Sequence, residues 1–195
     1  MSLLEKIKTA SRELVAETVE CRRWLHANPE LSFEEFKTSA FVAEKLKSLG
    51  INFKIISGTG VVGLIEGKNP ASRVVALRAD MDALPIQELN QVSYKSGNDG
   101  VMHACGHDAH MGMLLGTASV LSQLRPQLPG TVKLIFQPAE EGPPADEEGG
   151  APLMIKEGVM DNPKVDAVFG LHIASSLEIG KIKYKSGSMM ASSDW

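Results

Sequence analysis

The segment of residues 103–110, His-Ala-Cys-Gly-His-Asp-Ala-His, concentrates three imidazoles, a thiol and a carboxylate in eight positions. Only Gly106 separates Cys105 from His107, and its missing Cβ allows a turn sharp enough for both side chains to face one point. A thiolate beside an imidazole suits Zn²⁺ or a similar divalent transition metal. The apolar pattern of residues 108–124 predicts a helix, so the cluster lies at a helix N-terminus, which favours the thiolate. Taken alone, the segment leaves a second interpretation open, a buried and inert cysteine with polar neighbours.

Carboxylates and a further imidazole follow three predicted strands at the positions where those strands end. Asp80 and Asp82 follow the predicted strand 73–78, Glu140 and Glu141 follow the strand 131–136, and His172 follows the strand 165–171. Each signal alone is modest, because paired aspartates also form turns and a strand-end histidine is more often a satisfied polar residue. An α/β sheet, however, binds ligands at the carboxyl ends of its strands. Together the groups predict one site at that edge.

The alternation of helices and strands predicts an α/β fold with a mixed, mostly parallel sheet flanked by helices. Helices are predicted at residues 2–26, 32–49, 108–124 and 151–157, and strands at 51–56, 61–65, 73–78, 131–136, 165–171 and 179–185. The second helix is expected to open on a capping box formed by Ser32 and Glu35 and to end at Gly50. Residues 51–56 and 61–65 predict an antiparallel pair, and residues 143–150 a surface loop.

Composition narrows the classes of function that the chain can serve. With 195 residues and a net charge of −4, the chain has a core of ordinary size and no basic field for nucleic acid or an anionic membrane. No run of 18 apolar residues occurs, so neither a membrane partner nor export is expected. Two cysteines, Cys21 and Cys105, make a disulfide framework implausible, and no bond between them is expected. A reducing, cytoplasmic location fits this composition.

The residue types at the predicted site suit metal-assisted hydrolysis. Donors from Cys105, His107, Glu141 and His172 could bind one or two metal ions, which polarise a carbonyl and lower the pKa of water. Adjacent glutamates cannot easily present both carboxylates to a metal in the same way. One is therefore expected to bind the metal while its neighbour takes the proton of the attacking water and passes it to the leaving group. This chemistry is amide hydrolysis.

Five motifs in the order found here resemble an M20-type metallopeptidase, in the subgroup of N-acyl-amino-acid amidohydrolases that includes hippurate hydrolases and indoleacetyl-amino-acid hydrolases. The motifs are residues 22–35, 76–85, 103–110, 137–142 and 170–172. By this resemblance the metal ligands are Cys105, His107, Glu141 and His172, and the general base is Glu140. The resemblance also implies two divalent ions in a complete site, from among Mn, Zn, Co and Ni.

Two differences from the wider family affect what the resemblance implies. Where the family has His-x-Asp at a strand end, this chain has Asp80-Met-Asp82, so Asp80 is not taken as a ligand and Asp82 is interpreted as orienting one. Family members are also longer. By the resemblance, residues 1–195 are expected to correspond to the N-terminal part of their metal-binding catalytic domain, without the lid and dimerisation domain and without a C-terminal catalytic segment that supplies a further metal-binding histidine.

The expected function is metal-dependent hydrolysis of the amide bond of N-acyl or N-aroyl amino acids. The expected partner is a small-molecule substrate, with a homodimer for the longer form, and residues 1–195 alone are expected to have little activity. Two alternatives stay open: a dipeptidase or carboxypeptidase of the same family, and a truncated, non-catalytic fragment that only binds metal.

Overall fold

The structure is a computed structural model that describes residues 1–143 and 145–187. Its helices are α1 (Leu3–Glu13), α2 (Val15–Ala27), α3 (Phe36–Ser48), α4 (His107–Gln123) and α5 (Gly150–Lys156). Its strands are β1 (Asn52–Ile56), β2 (Gly60–Glu66), β3 (Val74–Asp80), β4 (Thr131–Gln137) and β5 (Ala167–Gly170). Within these described residues, no helix combines the length and the apolarity that crossing a bilayer requires.

The five strands form one mixed sheet in the order β1-β2-β4-β3-β5. The mixed sheet flanked by helices is confirmed, as is the antiparallel pairing of β1 with β2. Parallel pairing is less extensive than the expected majority, since β2 pairs with β4 antiparallel while β3 is parallel to both β4 and β5. As a result, the carboxyl ends of β3, β4 and β5 lie together at one edge of the sheet.

Side chains alternate across the sheet and form two apolar clusters. The larger cluster packs α2, α3 and α4 against one face, and its central members include Leu25, Leu46, Met111, Leu134 and Phe136. The smaller cluster packs α5 and the segment after it against the other face, through Val62, Ala76, Ile135, Met154 and Val159. The N-terminus of α4 thus lies beside the carboxyl end of β3, which brings the predicted metal-binding segment to the sheet edge.

Two of the predicted helices differ from the helices in the structure, one by a break and one in where it begins. Residues 2–26 form two helices, because Leu14 leaves helical geometry between α1 and α2. The break lets α2 bury three side chains while α1 buries none. The prediction of a capping box formed by Ser32 and Glu35 was wrong. Helix α3 begins at Phe36, and its first amides are capped by Glu30, whose carboxylate accepts the N–H of Thr38 at 2.8 Å and that of Lys37 at 3.1 Å. Gly50 does follow the helix in a left-handed conformation, as predicted.

Residues 179–185 form no strand in the described structure, contrary to the prediction. The alternating residues Ile179, Ile182 and Tyr184 are all largely exposed. Alternation predicts two faces of a strand, but a strand also needs a neighbour with free backbone groups, and none of the residues that the structure describes pairs with this segment.

Lys133 is a buried lysine that the strand pattern did not predict. It lies in β4 with 1% of its surface exposed, and its Nζ donates hydrogen bonds to the carbonyl oxygens of Val159 at 2.5 Å and Pro163 at 2.8 Å. Burial lowers the pKa of its ammonium group. These bonds anchor to β4 the loop that leads into β5.

Candidate metal centre

The carboxyl ends of three strands and the start of α4 bring the predicted site residues together. Ligand atoms of Cys105, His107 and His172 lie within 4.8 Å of one another, and so do those of His107, Glu140 and Glu141. The Nε2 of His107 lies 3.5 Å from Glu141 Oε1 and 3.8 Å from Glu140 Oε2. The Sγ of Cys105 lies 3.3 Å from His172 Nε2. All five residues therefore line one site, and their separate roles stay predictions.

Gly106 makes this arrangement possible at the start of α4. Its φ of 91° is left-handed, and a Cβ at this position would lie 3.3 Å from the side chain of Ile173. A residue with a side chain would therefore be both strained and tightly packed at this turn. The turn separates Cys105, outside the helix, from His107, its first residue.

Backbone carbonyls hold two histidines with the same nitrogen facing the cluster. The Nδ1 of His107 lies 2.8 Å from the main-chain oxygen of Asp82, and the Nδ1 of His172 lies 2.5 Å from that of Ile173. Because a carbonyl oxygen only accepts, each Nδ1 carries the hydrogen and donates it. Each neutral imidazole then directs the lone pair of its Nε2 into the cluster, which is the orientation of a metal ligand.

Unpaired buried atoms in the cluster fit a cation. His107 Nε2 and Glu141 Oε1 are buried without a hydrogen-bond partner in the structure. In the neutral tautomer both are acceptors, so neither can satisfy the other, and burying them unpaired costs free energy. A divalent ion would satisfy both. With the sulfur of Cys105 and the Nε2 of His172, the donors match the sulfur, nitrogen and oxygen ligands of zinc and similar ions.

Negative charge crowds the site. Oxygens of four carboxylates lie 3.3–3.8 Å from a ring nitrogen of His107, and they belong to Asp80, Asp82, Glu140 and Glu141. Burial, together with the neighbouring carboxylate of Glu141, raises the pKa of the Cys105 thiol to about 12. Burial also raises the pKa of Glu140. A cation among these groups would offset their repulsion and favour the thiolate.

His110 supports the site from behind, a role the sequence interpretation missed. Its Nε2 accepts the N–H of Ile173 at 3.0 Å, so its Nδ1 carries the hydrogen and donates it to Asp80 Oδ1 at 2.6 Å. Both nitrogens are engaged, which excludes His110 as a ligand in this arrangement. His110 lies three residues after His107 in one helix, so both side chains are on the same helix face. This spacing was the feature of the sequence that could have indicated the role of His110.

Asp80, the partner of His110, stays ionised. Its other oxygen accepts a hydrogen bond from Arg78 at 2.6 Å. Burial acts to raise the pKa of Asp80, but the hydrogen bond from His110 and the charge of Arg78 prevail and lower it to about 2. The ionised Asp80 thereby links β3 to the segment after β5 through His110.

Asp82 contacts a candidate ligand and the turn after β4. Its Oδ1 lies 3.3 Å from His107 Nδ1, and its Oδ2 accepts the N–H of Glu141 at 2.9 Å and the hydroxyl of Ser32 at 2.8 Å. Ser32, expected to cap a helix, instead holds this carboxylate. These contacts support the interpretation that Asp82 orients ligands.

A buried ionic network lies behind the start of α4. Asp108, next to His107 in sequence, accepts from Arg22 Nε at 2.7 Å, and its Oδ2 lies 2.8 Å from His26 Nδ1. His26 Nε2 lies 3.1 Å from Glu88, which belongs to the loop before the metal-binding segment. The hydrogen bond with Asp108 raises the pKa of His26 although burial opposes it. The network ties α2 and the loop to the first turn of α4.

The fold and the site define a class of protein, a mixed α/β domain with a cluster of candidate metal ligands at its strand ends. The model for peptidase family M20/M25/M40 matches residues 76–189, more than half of the chain. The chain belongs to this family, as the motifs indicated, and its relatives include both N-acyl-amino-acid amidohydrolases and carboxypeptidases.

Several relatives are about half identical to this chain over the part of their sequence that aligns with it. It is 50% identical over 191 residues to an N-acyl-L-amino acid amidohydrolase of Geobacillus stearothermophilus, covering 97% of this chain and 50% of the relative. It is 48% identical over 196 residues to thermostable carboxypeptidase 2 of Saccharolobus solfataricus, covering 100% of this chain and 48% of the relative. The chain spans about half the length of these curated relatives.

A solved structure has the same fold. The YXEP protein of Bacillus subtilis, described as a dinuclear metal binding peptidase from the M20 family, matches with a TM-score of 0.81 and 41% identity. The match covers 92% of this chain and 48% of that one.

Proposed function

We propose that these residues form part of a metal-dependent amidohydrolase site that cleaves the amide bond of N-acyl or N-aroyl amino acids. The observation that carries the proposal is the pair of unpaired buried acceptors, His107 Nε2 and Glu141 Oε1, beside Cys105 and His172. In this proposal those four residues bind divalent metal, Mn, Zn, Co or Ni. A complete site holds two ions, as the description of the YXEP protein suggests.

Glu140 and Glu141 take different roles in this proposal. Glu141 has 20% of its side chain exposed, and its oxygen lies nearer to His107 Nε2, as suits a ligand. Glu140 is more open, at 40%, and burial still raises the pKa of its carboxyl, as suits a group that accepts and returns a proton. A bound divalent ion supplies polarisation of the scissile carbonyl and of water. Glu140 accepts the proton of the attacking water and passes it to the leaving nitrogen.

The substrate class rests on similarity to the Geobacillus amidohydrolase, while the Saccharolobus carboxypeptidase supports a peptidase of the same family as the second candidate. The two candidates differ in what lies on the acyl side of the amide. Comparing hydrolysis of N-acetyl and N-benzoyl amino acids with that of unblocked dipeptides separates them.

Metal binding tests the proposed ligands in the 195-residue chain itself. Titration with Co²⁺ should give a sulfur charge-transfer absorption band that Cys105→Ser removes. Glu141→Gln should weaken binding strongly, whereas Glu140→Gln should leave it nearly unchanged. Tight binding by Glu141→Gln together with loss in Glu140→Gln would reverse the two assignments, and absence of binding by the unmodified chain would refute the proposed site.

Turnover is tested in a chimera that joins residues 1–195 to the remaining half of the Geobacillus relative. Glu140→Gln in the chimera should retain metal and lose about 10²–10⁴-fold in kcat, the range for general acid–base catalysis. We propose that residues 1–195 correspond to the N-terminal part of the catalytic domain and that the longer form supplies the lid and a further histidine. Residues 1–195 alone should therefore hydrolyse the same substrates far more slowly than the chimera.

A further inference from the structure

A buried glutamate that is distant in sequence from the proposed metal ligands bonds to the turn that carries Glu140 and Glu141. Glu35 lies at the start of α3 with none of its surface exposed. Its Oε1 accepts the N–H of Ala139 at 2.9 Å, and its Oε2 accepts the hydroxyl of Thr59 at 2.5 Å. Burying a carboxyl group costs free energy unless hydrogen bonds compensate it, as these two bonds do.

The turn that Glu35 holds has a backbone that needs external support. Ala139 is a residue with a side chain at a left-handed φ of 46°, and it is 2% exposed. A non-glycine residue keeps this conformation only when its surroundings fix it. The carbonyl oxygen of Ala139 accepts the N–H of Gly150 at 3.1 Å. A Cβ at Gly150 would lie 1.8 Å from the oxygen of Pro138, so the two backbones touch at this point.

The backbone N–H groups on both sides of Glu140 therefore donate hydrogen bonds to buried carboxylates. Glu35 holds the N–H of the residue before it, and Asp82 holds the N–H of Glu141 after it at 2.9 Å. Asp82 also contacts His107, so its effect on the turn cannot be separated from its effect on a ligand. Among the described residues, Glu35 forms no hydrogen bond or ion pair with a proposed ligand, and its bond to the N–H of Ala139 is what links it to the site.

We propose that Glu35 is a positioning residue that fixes, through the Ala139 peptide, the direction in which Glu140 and Glu141 leave the end of β4. This inference rests on the proposed roles of those two glutamates. Without the Glu35 carboxyl, the buried N–H of Ala139 has no acceptor, and the peptide must rotate to find one. Rotation of that peptide displaces both glutamates together.

The chain offers a conservative variant and a matched control. Burial raises the pKa of Glu35 despite the hydrogen bonds it accepts from Thr59 and Ala139. Gln at position 35 can still accept from Ala139 and can donate to the Thr59 oxygen, since a hydroxyl also accepts. Glu30 is the control, because its carboxylate caps the same helix and bonds to no part of the turn.

The experiment compares Glu35→Ala, Glu35→Gln and Glu30→Ala in the 195-residue chain. Amide exchange at Ala139 should speed up by about tenfold or more in Glu35→Ala, relative to amides inside β4, since one buried hydrogen bond is lost. Co²⁺ affinity should fall about 10–100-fold, the usual effect of removing a group that supports a ligand. Glu35→Gln should stay within about threefold of the unmodified chain in both measurements. Glu30→Ala should lower the melting temperature and change neither.

Two results would overturn the inference: unchanged exchange and affinity in Glu35→Ala, or equal losses in Glu30→Ala, which would indicate general destabilisation. Failure of the proposed function looks different. If the unmodified chain binds no Co²⁺, the metal site is refuted, while exchange at Ala139 still shows whether Glu35 holds the turn. If Co²⁺ binds equally to the unmodified chain and Glu35→Ala, the site stands and the role of Glu35 is refuted.

Discussion

Replacing His110 with alanine should weaken both the fold and the metal site. His110 joins the buried Asp80 to the backbone N–H of Ile173, the residue after the proposed ligand His172. His110→Ala leaves Asp80 with Arg78 as its remaining strong partner. Because the segment after β5 is largely exposed, the freed N–H of Ile173 can bind water, and the buried carboxylate carries most of the loss.

The cost to stability follows from the pKa of Asp80. Its shift from 3.8 to about 2 is a net preference of about 2 kcal/mol for the ionised form after the opposing effect of burial, and the His110 hydrogen bond is the largest contribution that lowers the pKa. Breaking a hydrogen bond to a charged group costs about 1.5–3 kcal/mol, which agrees. His110→Ala should therefore lower the unfolding free energy by about 2 kcal/mol and the melting temperature by about 4–8 °C. Metal affinity should fall about 10–100-fold, because His172 loses its orientation.

Calorimetric titration with Zn²⁺ and thermal unfolding of the metal-free chain measure the two effects separately. Met113→Ala is the control, since Met113 lies on the same helix as His110, lines with it an open pocket of about 340 Å³, and has no side-chain group that could replace the bonds of His110 to Asp80 and Ile173. A metal affinity in His110→Ala within about twofold of that in Met113→Ala would show that His110 does not orient His172. An equal melting temperature in the two variants would refute the assigned strength of the Asp80 bond.

Three further predictions concern groups outside the ligand cluster. The hydrogen bond with Asp108 raises the pKa of His26, so protonated His26 stabilises the fold fully below about pH 6.5, and this stabilisation is lost as the pH rises through the raised pKa. Urea unfolding between about pH 5.5 and 9 should show the decrease in unfolding free energy. The variant His26→Gln should not show this pH dependence. Lys133→Met should lower the unfolding free energy by about 1–3 kcal/mol, because two buried carbonyls lose their donor, and unchanged urea midpoints would contradict this. Cys21 and Cys105, both free thiols in the structure, should each react with a thiol reagent after unfolding without reductant; fewer than two reactive thiols would indicate a disulfide.

The strands and the residues at their ends were predictable because they follow local rules. The short apolar runs of β3 and β4 have the composition of strands covered on both faces, and polar groups follow each strand directly. Parallel strands then bring those groups to one edge without any knowledge of long-range contacts. The same local rules failed at Ser32, because its hydroxyl bonds to Asp82, a residue 50 positions along the chain, and not to a nearby helix amide.

Apart from Asp82, whose orienting role followed from the family resemblance, the supporting contacts were not predictable, because they involve backbone groups. These pairs are His107 with the oxygen of Asp82, His172 with that of Ile173, and the acceptors His110, Glu35 and Asp82 with the amides of Ile173, Ala139 and Glu141. Every non-proline residue carries the same N–H and C=O, so a backbone partner leaves no signature in the sequence. A pattern of side chains can therefore identify the groups that face a metal, while only the folded backbone identifies those that orient them. For the same reason, conservative changes at the supporting positions, such as Glu35→Gln, should be tolerated better than changes at the ligands, where the chemical identity of the donor atom decides whether a metal binds.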